Sequence, residues 1–282
     1  MNLLSQDQAP TFRGWNIAGV DIMVKSPNSV TNILRQTLHH VPLSSSSCRD
    51  FVQVEVSAAN RDWEISSTDG LSGKMLDRDA ALPAVAGAVV STMVRGAAAC
   101  RGLRVVRAVT IENQGRAIAM VGDDWEGCMV LAAHLHARGW KYLGGDYALI
   151  DQESLSIVPF AKMLFLNSAC FSGLPASYRP ALEKSPWYST PAGLAFYAVD
   201  PKGVGSGGVE HSWSESGVLS AVVVADGQTE TRPSLEILSH ERFLPESFAG
   251  LRLLERNVRI ERLTLGDLIA TTDMLERRFG TP

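Results

Sequence analysis

The chain is poor in cysteine and has no cysteine pair at metal-binding spacing. Its four cysteines among 282 residues are Cys48, Cys100, Cys128 and Cys170, and no two of them are separated by only two residues. This spacing argues against zinc ligands and against a disulfide framework, and it predicts reduced thiols in a cytoplasmic protein. We therefore expect no metal site.

Dense positive charge is also missing. Lys and Arg total 26 against 30 Asp and Glu, which gives a formal net charge of −4. The two densest basic stretches, residues 95–107 and 252–262, interleave with apolar residues as amphipathic segments do. The sequence therefore predicts no nucleic-acid partner.

An uninterrupted apolar run long enough for a bilayer is absent as well. The most apolar stretch, residues 80–99, contains Ser91, Thr92 and Arg95, which favours a buried helix over a membrane span. The first residues lack a basic start followed by an apolar core, so we expect no signal peptide. Together these absences predict no membrane association.

What is present is the composition of a soluble protein, with 45% hydrophobic and 20% charged residues. Alternation and helical spacing predict a small N-terminal α/β lobe over residues 1–78 and a larger domain over 79–282. The predicted elements are strands at 20–24, 51–56, 63–66, 104–111, 116–121, 142–143, 148–150, 157–160, 218–225 and 258–263, and helices at 30–40, 79–100, 127–138, 239–249 and 264–279.

One motif follows the strand at 116–121. Residues 122–129 fit the P-loop frame G-x-x-x-x-G-K-[ST], with Gly122 and Gly127 at the glycine positions. Cys128 stands at the lysine position and Met129 at the position of the magnesium-binding hydroxyl. The residues between the two glycines are Asp123, Asp124, Trp125 and Glu126.

The three acids oppose phosphate binding. At roughly 6–8 Å and an effective dielectric constant near 20, each carboxylate repels a phosphate charge by about 2–3 kcal/mol. Acids near a helix N-terminus also stabilise the helix itself. Three interpretations stay open: a capped turn that holds no nucleotide, a loop that still binds nucleotide weakly, and a site for a cationic or amine-bearing ligand.

The order of these pieces resembles the C-terminal domain of the HPr kinase/phosphorylase family, in particular its HPr kinase-related branch. The resemblance is carried by residues 115–122 (GRAIAMVG), 131–140 (LAAHLHARGW), 148–151 (ALID), 158–162 (VPFAK) and 219–224 (LSAVVV). It implies an α/β fold of the HPr kinase and phosphoenolpyruvate carboxykinase type. That fold has a mixed sheet with flanking helices, and homo-oligomers are common in the family.

The catalytic residues that the resemblance would supply are largely missing. Arg107 stands at the family's histidine position and Gly145 at the first of its paired acids, while Asp146 retains the second. Asp146 is thus a residual candidate base or metal ligand, or an acid paired with a nearby Lys or Arg. Arg107 either pairs with Asp146 or a loop acid, or is solvated.

The resemblance implies a catalytically degenerate kinase, a pseudokinase that binds a protein or peptide partner as a scaffolding subunit in a peptide-modification or regulatory system. In that case no cofactor is expected. The alternative is an atypical serine or peptide kinase that uses ATP and Mg with its missing groups supplied elsewhere.

Residues 168–211 are rich in Pro, Gly, Ser and aromatics and are predicted to be irregular, and such segments commonly carry recognition. The candidate partner-binding residues there are Trp187, Tyr188, Phe196, Tyr197 and His211, and the aromatics among them are alternatively core residues of this segment.

Overall fold

A computed structural model describes residues 10–44, 51–59, 62–68, 74–77, 82–122, 124–189, 195–204, 213–229, 233–237 and 258–280. These residues form two compact units, the first made by residues 1–103 with 188–193 and the second by 104–187 with 194–282. Asp123, His211, most of the glycine-rich run at 203–208 and the helix predicted at 239–249 lie outside the described residues.

The first unit is a five-stranded sheet in the order β1-β2-β3-β4-β5 with two helices. β2 and β3 are parallel, and the other neighbours are antiparallel. Alternate residues Val52, Val54 and Val56 are buried, as the alternation predicts for a sheet covered on one face. The elements are β1 (Thr11–Ile17), β2 (Val20–Ser26), α1 (Asn28–Thr37), β3 (Phe51–Ala59), β4 (Asp62–Ser67), β5 (Lys74–Asp77) and α2 (Leu82–Arg101).

The boundary between the units differs from the one predicted at residues 78 and 79. Helix α2 contacts β2, β3 and β4 and also α1, so it belongs to the first unit and the division falls after Leu103. Val85, Val89 and Met93, spaced four residues apart, are fully buried on one stripe of α2. The change of composition near residue 79 therefore marks the start of a helix and not the start of a domain.

Helix α2 is the one described helix that is long and apolar enough to cross a membrane by length and composition. Of the 18-residue window that meets this criterion, 61% is buried inside the protein. Its contacts with β2, β3 and β4 account for its apolar character as that of a core helix.

The second unit contains a nine-stranded mixed sheet and most of a separate three-stranded sheet, one strand of which continues from Trp187 into residues 188–189 of the first unit. Three strands of the large sheet, β8, β15 and β17, run parallel, with β15 in the middle. The elements are β6 (Arg104–Val106), β7 (Val109–Asn113), β8 (Arg116–Gly122), α3 (Trp125–Ala137), β9 (Lys141–Gly144), β10 (Ala148–Ile150), β11 (Ser156–Val158), β12 (Leu164–Asn167), α4 (Arg179–Lys184), β13 (Trp187–Ser189), β14 (Ala195–Val199), β15 (Gly217–Thr229), β16 (Ser234–Ile237), β17 (Arg259–Leu265) and α5 (Leu268–Phe279).

Both faces of the parallel strands are buried, which is why β8 and β15 are continuous apolar runs in the sequence. Ile118 and Met120 face one core cluster together with α3 and α5, whereas Ala117 and Val121 face a second cluster. Strand β6 ends at Val106 and β7 begins at Val109, so the single strand predicted at 104–111 is two strands.

Residues 168–204 are more regular than the sequence predicts. They contain 3₁₀ turns at Ser168–Gly173, Ala176–Tyr178 and Pro201–Gly203 as well as α4, β13 and β14. Strands β12, β14 and β13 form the small sheet in that order. Each of these strands is three to five residues long, too short for alternation to be visible among prolines and glycines.

Gly122 is required by the parallel pairing of β8 with β15. Gly122 pairs with Ala225, and a Cβ atom at position 122 would overlap the carbonyl oxygen of Ala225. Because that oxygen is backbone, Gly122→Ala must displace a central strand, and we expect a loss of about 3 kcal/mol in the free energy of unfolding. Urea denaturation of the second unit measures this loss.

The matched control is Gly203→Ala, because a Cβ atom there would lie 3.8 Å from Ala181 Cβ, an ordinary contact. We expect this control to change the free energy of unfolding by less than about 0.5 kcal/mol. Equal stabilities of the two variants would contradict the packing explanation for Gly122.

Candidate functional site

The predicted site residues meet at one edge of the large sheet. β8 ends at Gly122, and its antiparallel neighbour β7 begins at Val109, opposite Met120. β9 runs antiparallel to β7 and ends at Gly144, which pairs with Thr110. The chain leaving β8, the chain leaving β9 and the chain entering β7 are therefore at the same edge. The carboxyl ends of β8, β9 and β15 lie there, which is where open α/β sheets commonly bind ligands.

The turn between β8 and α3 is shorter than a P-loop. Helix α3 begins at Trp125, two residues earlier than predicted, so residues 123–124 alone connect the strand to the helix. Asp124 caps the helix, because its carboxylate accepts a hydrogen bond from the Gly127 backbone N–H at 2.8 Å. Its carbonyl oxygen accepts from the Cys128 N–H at 3.1 Å. Two of the N–H groups that would face a phosphate in a P-loop, those of Gly127 and Cys128, are thus bonded to Asp124.

Gly127 has a packing explanation, as Gly122 does. A Cβ atom at Gly127 would overlap the capping carboxylate of Asp124 and would approach Leu265 Cδ1 to 3.1 Å. At both glycines of the motif, the missing side chain therefore allows other groups of the protein to approach the backbone closely. Neither glycine requires a ligand to explain it.

Cys128 and Met129 point into the protein core. Both side chains are fully buried in the cluster between the sheet, α3 and α5. Burial, with a smaller contribution from the charge of Asp124, raises the pKa of the Cys128 thiol to about 12. The thiol is therefore neutral and inaccessible, contrary to the lowered pKa expected of a cysteine at a helix N-terminus.

Glu126 is tied to the segment that follows β12. Asn167 Nδ2 donates a hydrogen bond to Glu126 Oε1, and Asn167 Oδ1 accepts from the N–H of Ala169 and of Cys170 at 2.9 and 3.2 Å. Burial, followed by the charge of Glu126, raises the pKa of the Cys170 thiol to about 11. Glu126 therefore anchors a 3₁₀ turn to the start of α3.

Among the described residues, Arg107 forms no ion pair with Asp146, Asp124 or Glu126, and Asp123, the third loop acid, lies outside them. Its guanidinium lies over the Trp125 ring, 4.7 Å from the ring centroid, which is a cation–π contact. The side chain is exposed, and it covers the outer surface of the first turn of α3. Sequence reasoning missed this contact because Trp125 was considered only as a loop residue.

Asp146 pairs with Lys162, as one of its two interpretations predicts. The Lys162 ammonium forms a salt bridge with Asp146 Oδ2, donates to the Met163 carbonyl at 3.3 Å, and lies 4.4 Å from the Phe165 ring centroid. The Lys162 side chain is 2% exposed and that of Asp146 is 21% exposed. The neighbouring Gly145 is buried, and a Cβ atom there would meet Leu164 Cδ2 at 2.7 Å.

A buried polar cluster behind α3 was not predicted. Tyr178 Oη lies 3.1 Å from Tyr142 Oη and 3.0 Å from His136 Nδ1, and these three side chains are buried. Burial lowers the pKa of His136 to about 4, so the imidazole is neutral near pH 7. The cluster connects α3, β9 and the turn at Ala176–Tyr178, and sequence spacing gave no signal for it because these residues are distant in the chain.

The candidate partner-binding residues have different environments. Trp187 is 61% exposed, whereas Tyr197 packs against Phe171 with ring centroids 4.7 Å apart and contacts the core. Phe196 is half-buried on β14. Tyr188 belongs to the first unit and donates a hydrogen bond to Gln36 Oε1. Of these residues, Trp187 has the side chain most available to a partner.

The interaction between Lys162 and Asp146 can be tested by its effect on the free energy of unfolding. Asp146→Ala leaves the buried Lys162 ammonium without its carboxylate, so we expect a loss of about 3–5 kcal/mol in the free energy of unfolding. Lys162→Met should cost less, because the carboxylate it leaves is partly solvated. Urea denaturation of both variants and of Asp146→Ala/Lys162→Met should show that the double variant is more stable than Asp146→Ala. A double variant that is less stable than Asp146→Ala would be inconsistent with a coupled pair.

Comparisons with known proteins indicate a distant structural similarity. No protein-family model matches the chain, and no curated protein matches it. Among solved structures, the chain is similar to the Hpr(Ser) kinase/phosphatase from Coxiella burnetii, with 11% sequence identity and a TM-score of 0.30. The match covers 62% of this chain and 91% of that one. This distant likeness concerns the fold and carries no conclusion about activity.

Proposed function

We propose that this chain is a catalytically degenerate HPr kinase-like protein that acts as a binding or scaffolding subunit for a protein or peptide partner. The observation that carries the proposal is the hydrogen bond from the Gly127 N–H to the carboxylate of Asp124. In a phosphate-binding loop, backbone N–H groups at this position point at phosphate oxygens. Here an acid of the chain itself is bound instead.

Three further features of the same edge support the absence of phosphoryl transfer. Phosphoryl transfer depends on positioning and on cations that neutralise the phosphate charge. The side chains of Cys128 and Met129 are buried in the core. Two acids precede them in the chain, Asp124 at the cap of α3 and Glu126 in its first turn. The nearby cation Lys162 is bonded to Asp146. The edge therefore offers carboxylates where the chemistry needs a free lysine and a metal-binding hydroxyl.

The alternative function, an atypical serine or peptide kinase, has one observation in its favour. Lys162 and Asp146 are a lysine and an acid at the sheet edge where a kinase of this type would bind ATP and Mg. The lysine would have to leave a buried site in which it has a carboxylate, a carbonyl oxygen and an aromatic ring as neighbours. We favour the binding role because this rearrangement would leave Asp146 without its partner.

The nucleotide experiment separates the two functions. We expect isothermal titration calorimetry with ATP and Mg²⁺ to give no dissociation constant below about 100 μM, a threshold that corresponds to about −5.5 kcal/mol. We also expect Cys128→Lys/Met129→Ser to show no gain in kinase activity over the parent, since both new side chains would have to leave the core. Tight binding by the parent, or turnover by the double variant, would refute the proposed function.

The partner is proposed to bind at the exposed aromatic surface around Trp187. Large aromatic side chains anchor interfaces, and Trp187 is an exposed tryptophan next to the small sheet. We further propose that the partner belongs to a peptide-modification or regulatory system in the cytoplasm and that the chain can form homo-oligomers, as the family resemblance implies.

Two aromatic substitutions should differ in their effect on the free energy of unfolding. Trp187→Ala should change the free energy of unfolding by less than about 0.5 kcal/mol, because the side chain is exposed. Tyr197→Ala should lower it by about 2 kcal/mol, because the ring packs on Phe171 and the core. Urea denaturation measures both.

Partner binding should depend on Trp187 and not on another exposed apolar side chain. A protein that is captured from host lysate by the parent, and quantified by mass spectrometry, should be lost with Trp187→Ala and retained with the control Ile269→Ala, another exposed apolar residue of the second unit at 60% exposure. Equal capture by Trp187→Ala and by the parent would exclude Trp187 from the interface.

A further inference from the structure

A groove of about 690 Å³ lies in the second unit between the β16–β17 pair and the last turns of α5. Its walls carry three arginines, Arg259 on β17 and Arg277 and Arg278 on α5, and two glutamates, Glu236 and Glu261, together with Ile237. We call this feature the arginine groove. It is distinct from the edge at the carboxyl end of β8.

The sequence pattern explains why these side chains share one groove. In the antiparallel pairing of β16 with β17, Ile237 lies opposite Glu261 and Leu235 opposite Leu263. Leu235 and Leu263 contact the core cluster that α5 also contacts, so these alternate residues face the helix. The remaining face of the groove comes from Met274, Arg277 and Arg278, whose spacing of three and four residues puts them on one side of α5.

The three arginines of the groove differ in the partners that the described residues give them. Glu261 is 1% exposed and forms salt bridges with both Arg259 and Arg278, the latter at 3.2 Å. Arg277 is exposed and has no ion-pair or hydrogen-bond partner among the described residues. Two carboxylates, the buried Glu261 and the exposed Glu236, thus stand against three guanidinium groups, in a chain whose formal net charge is −4. The local charge is therefore complementary to an acidic ligand.

The groove also has an apolar floor. Ile237 is 65% exposed, which is unusual for an apolar side chain on a sheet face beside a helix. Leu235 and Met274 are partly buried and extend this apolar surface toward the core. A ligand that fits the groove must therefore combine carboxylates with an apolar group.

Strand β16 offers a backbone binding edge. It pairs with β17 on one side, and no other described strand pairs with it. An edge strand has backbone N–H and C=O groups that an added strand can bond, and main-chain pairing of this kind gives affinity while alternate side chains give specificity.

We propose that the arginine groove binds an extended acidic segment of a partner protein, which adds to the outer edge of β16. On the face toward α5, a carboxylate of this segment binds Arg277 and an apolar side chain two residues away covers Ile237. Guanidinium groups bind carboxylates bidentately, and the charge-assisted bonds are stronger than neutral ones. This inference rests on the proposed binding role, but it does not require Trp187 to be the anchor.

The test uses a synthetic peptide with the required alternation. The probe is fluorescein-labelled Ser-Glu-Ser-Leu-Ser-Glu-Ser, in which both glutamates and the leucine share one face of a strand. We expect saturable binding to the full chain by fluorescence anisotropy, with a dissociation constant below about 1 mM that weakens with added salt. The permuted peptide Ser-Glu-Leu-Glu-Ser-Ser-Ser has the same composition but places Leu on the strand face opposite both glutamates, and it should bind at least about fivefold more weakly.

Two pairs of variants locate the site. Arg277→Glu should weaken probe binding by about tenfold or more, since a charge-assisted bond is replaced by repulsion, whereas Arg101→Glu in the last turn of α2 should change it by less than about twofold. Ile237→Ser should weaken binding by about threefold or more, and the exposed control Ile269→Ser should not. Arg259 and Arg278 are unsuitable for this test because their removal would leave Glu261 buried without its full set of partners.

Several outcomes would overturn the inference. Equal binding of the permuted peptide would exclude strand addition, and equal effects of Arg277→Glu and Arg101→Glu would exclude the arginine groove. Self-association of the chain that Arg277→Glu abolishes would show that a second copy fills the groove, which also overturns the proposal. Calorimetry with ATP and Mg²⁺ on the same preparation tests the proposed function separately, because nucleotide binding would refute that function without changing the peptide result.

Discussion

The parallel pairing of β8 with β15 determines the geometry of the edge at which the candidate site residues gather. The two backbones approach so closely at Gly122 and Ala225 that position 122 has no room for a Cβ atom. Helix α3 begins at Trp125, so the chain must turn from a buried strand to a buried helix within residues 123 and 124. Helix α3 therefore begins two residues earlier than the sequence predicts.

The N–H groups at the start of α3 need hydrogen-bond partners, and the carboxylate of Asp124 bonds one of them, that of Gly127. The first N–H groups of a helix have no partner within the helix, and they must be bonded by a side chain, by water or by a ligand. A carboxylate three residues before Gly127 is held next to these groups permanently, whereas a phosphate must bind from solution. A phosphate would therefore have to displace Asp124 and would also meet the charge of Glu126, which Asn167 holds nearby. The same N–H groups serve helix capping or phosphate binding, and the acids favour capping.

The sequence predicted the elements whose apolar pattern is long, including β8, α3, β15 and α5, because burial alone determines their pattern. It did not predict β12, β13 and β14, since three to five residues among prolines carry no detectable period. It assigned α2 to the second domain because an alanine-rich helix gives no sign of which sheet it covers. Within the site, the burial of Cys128 and Met129 follows from their places in an apolar helix. The contacts of Lys162 with Asp146 and of Arg107 with Trp125 depend on strand order, which one sequence does not determine.

Positively charged side chains occur both at the sheet edge where β8 ends and in the arginine groove, but their partners differ. At the carboxyl end of β8, Lys162 is bonded to Asp146 and Arg107 lies over Trp125, so both cations already interact with groups of the protein itself. In the arginine groove, one buried carboxylate is shared by Arg259 and Arg278, and Arg277 remains exposed. An anion gains most from a guanidinium that it does not have to take from another carboxylate. Acidic ligands should therefore prefer the groove beside α5 to the turn between β8 and α3, where the acids Asp124 and Glu126 lie.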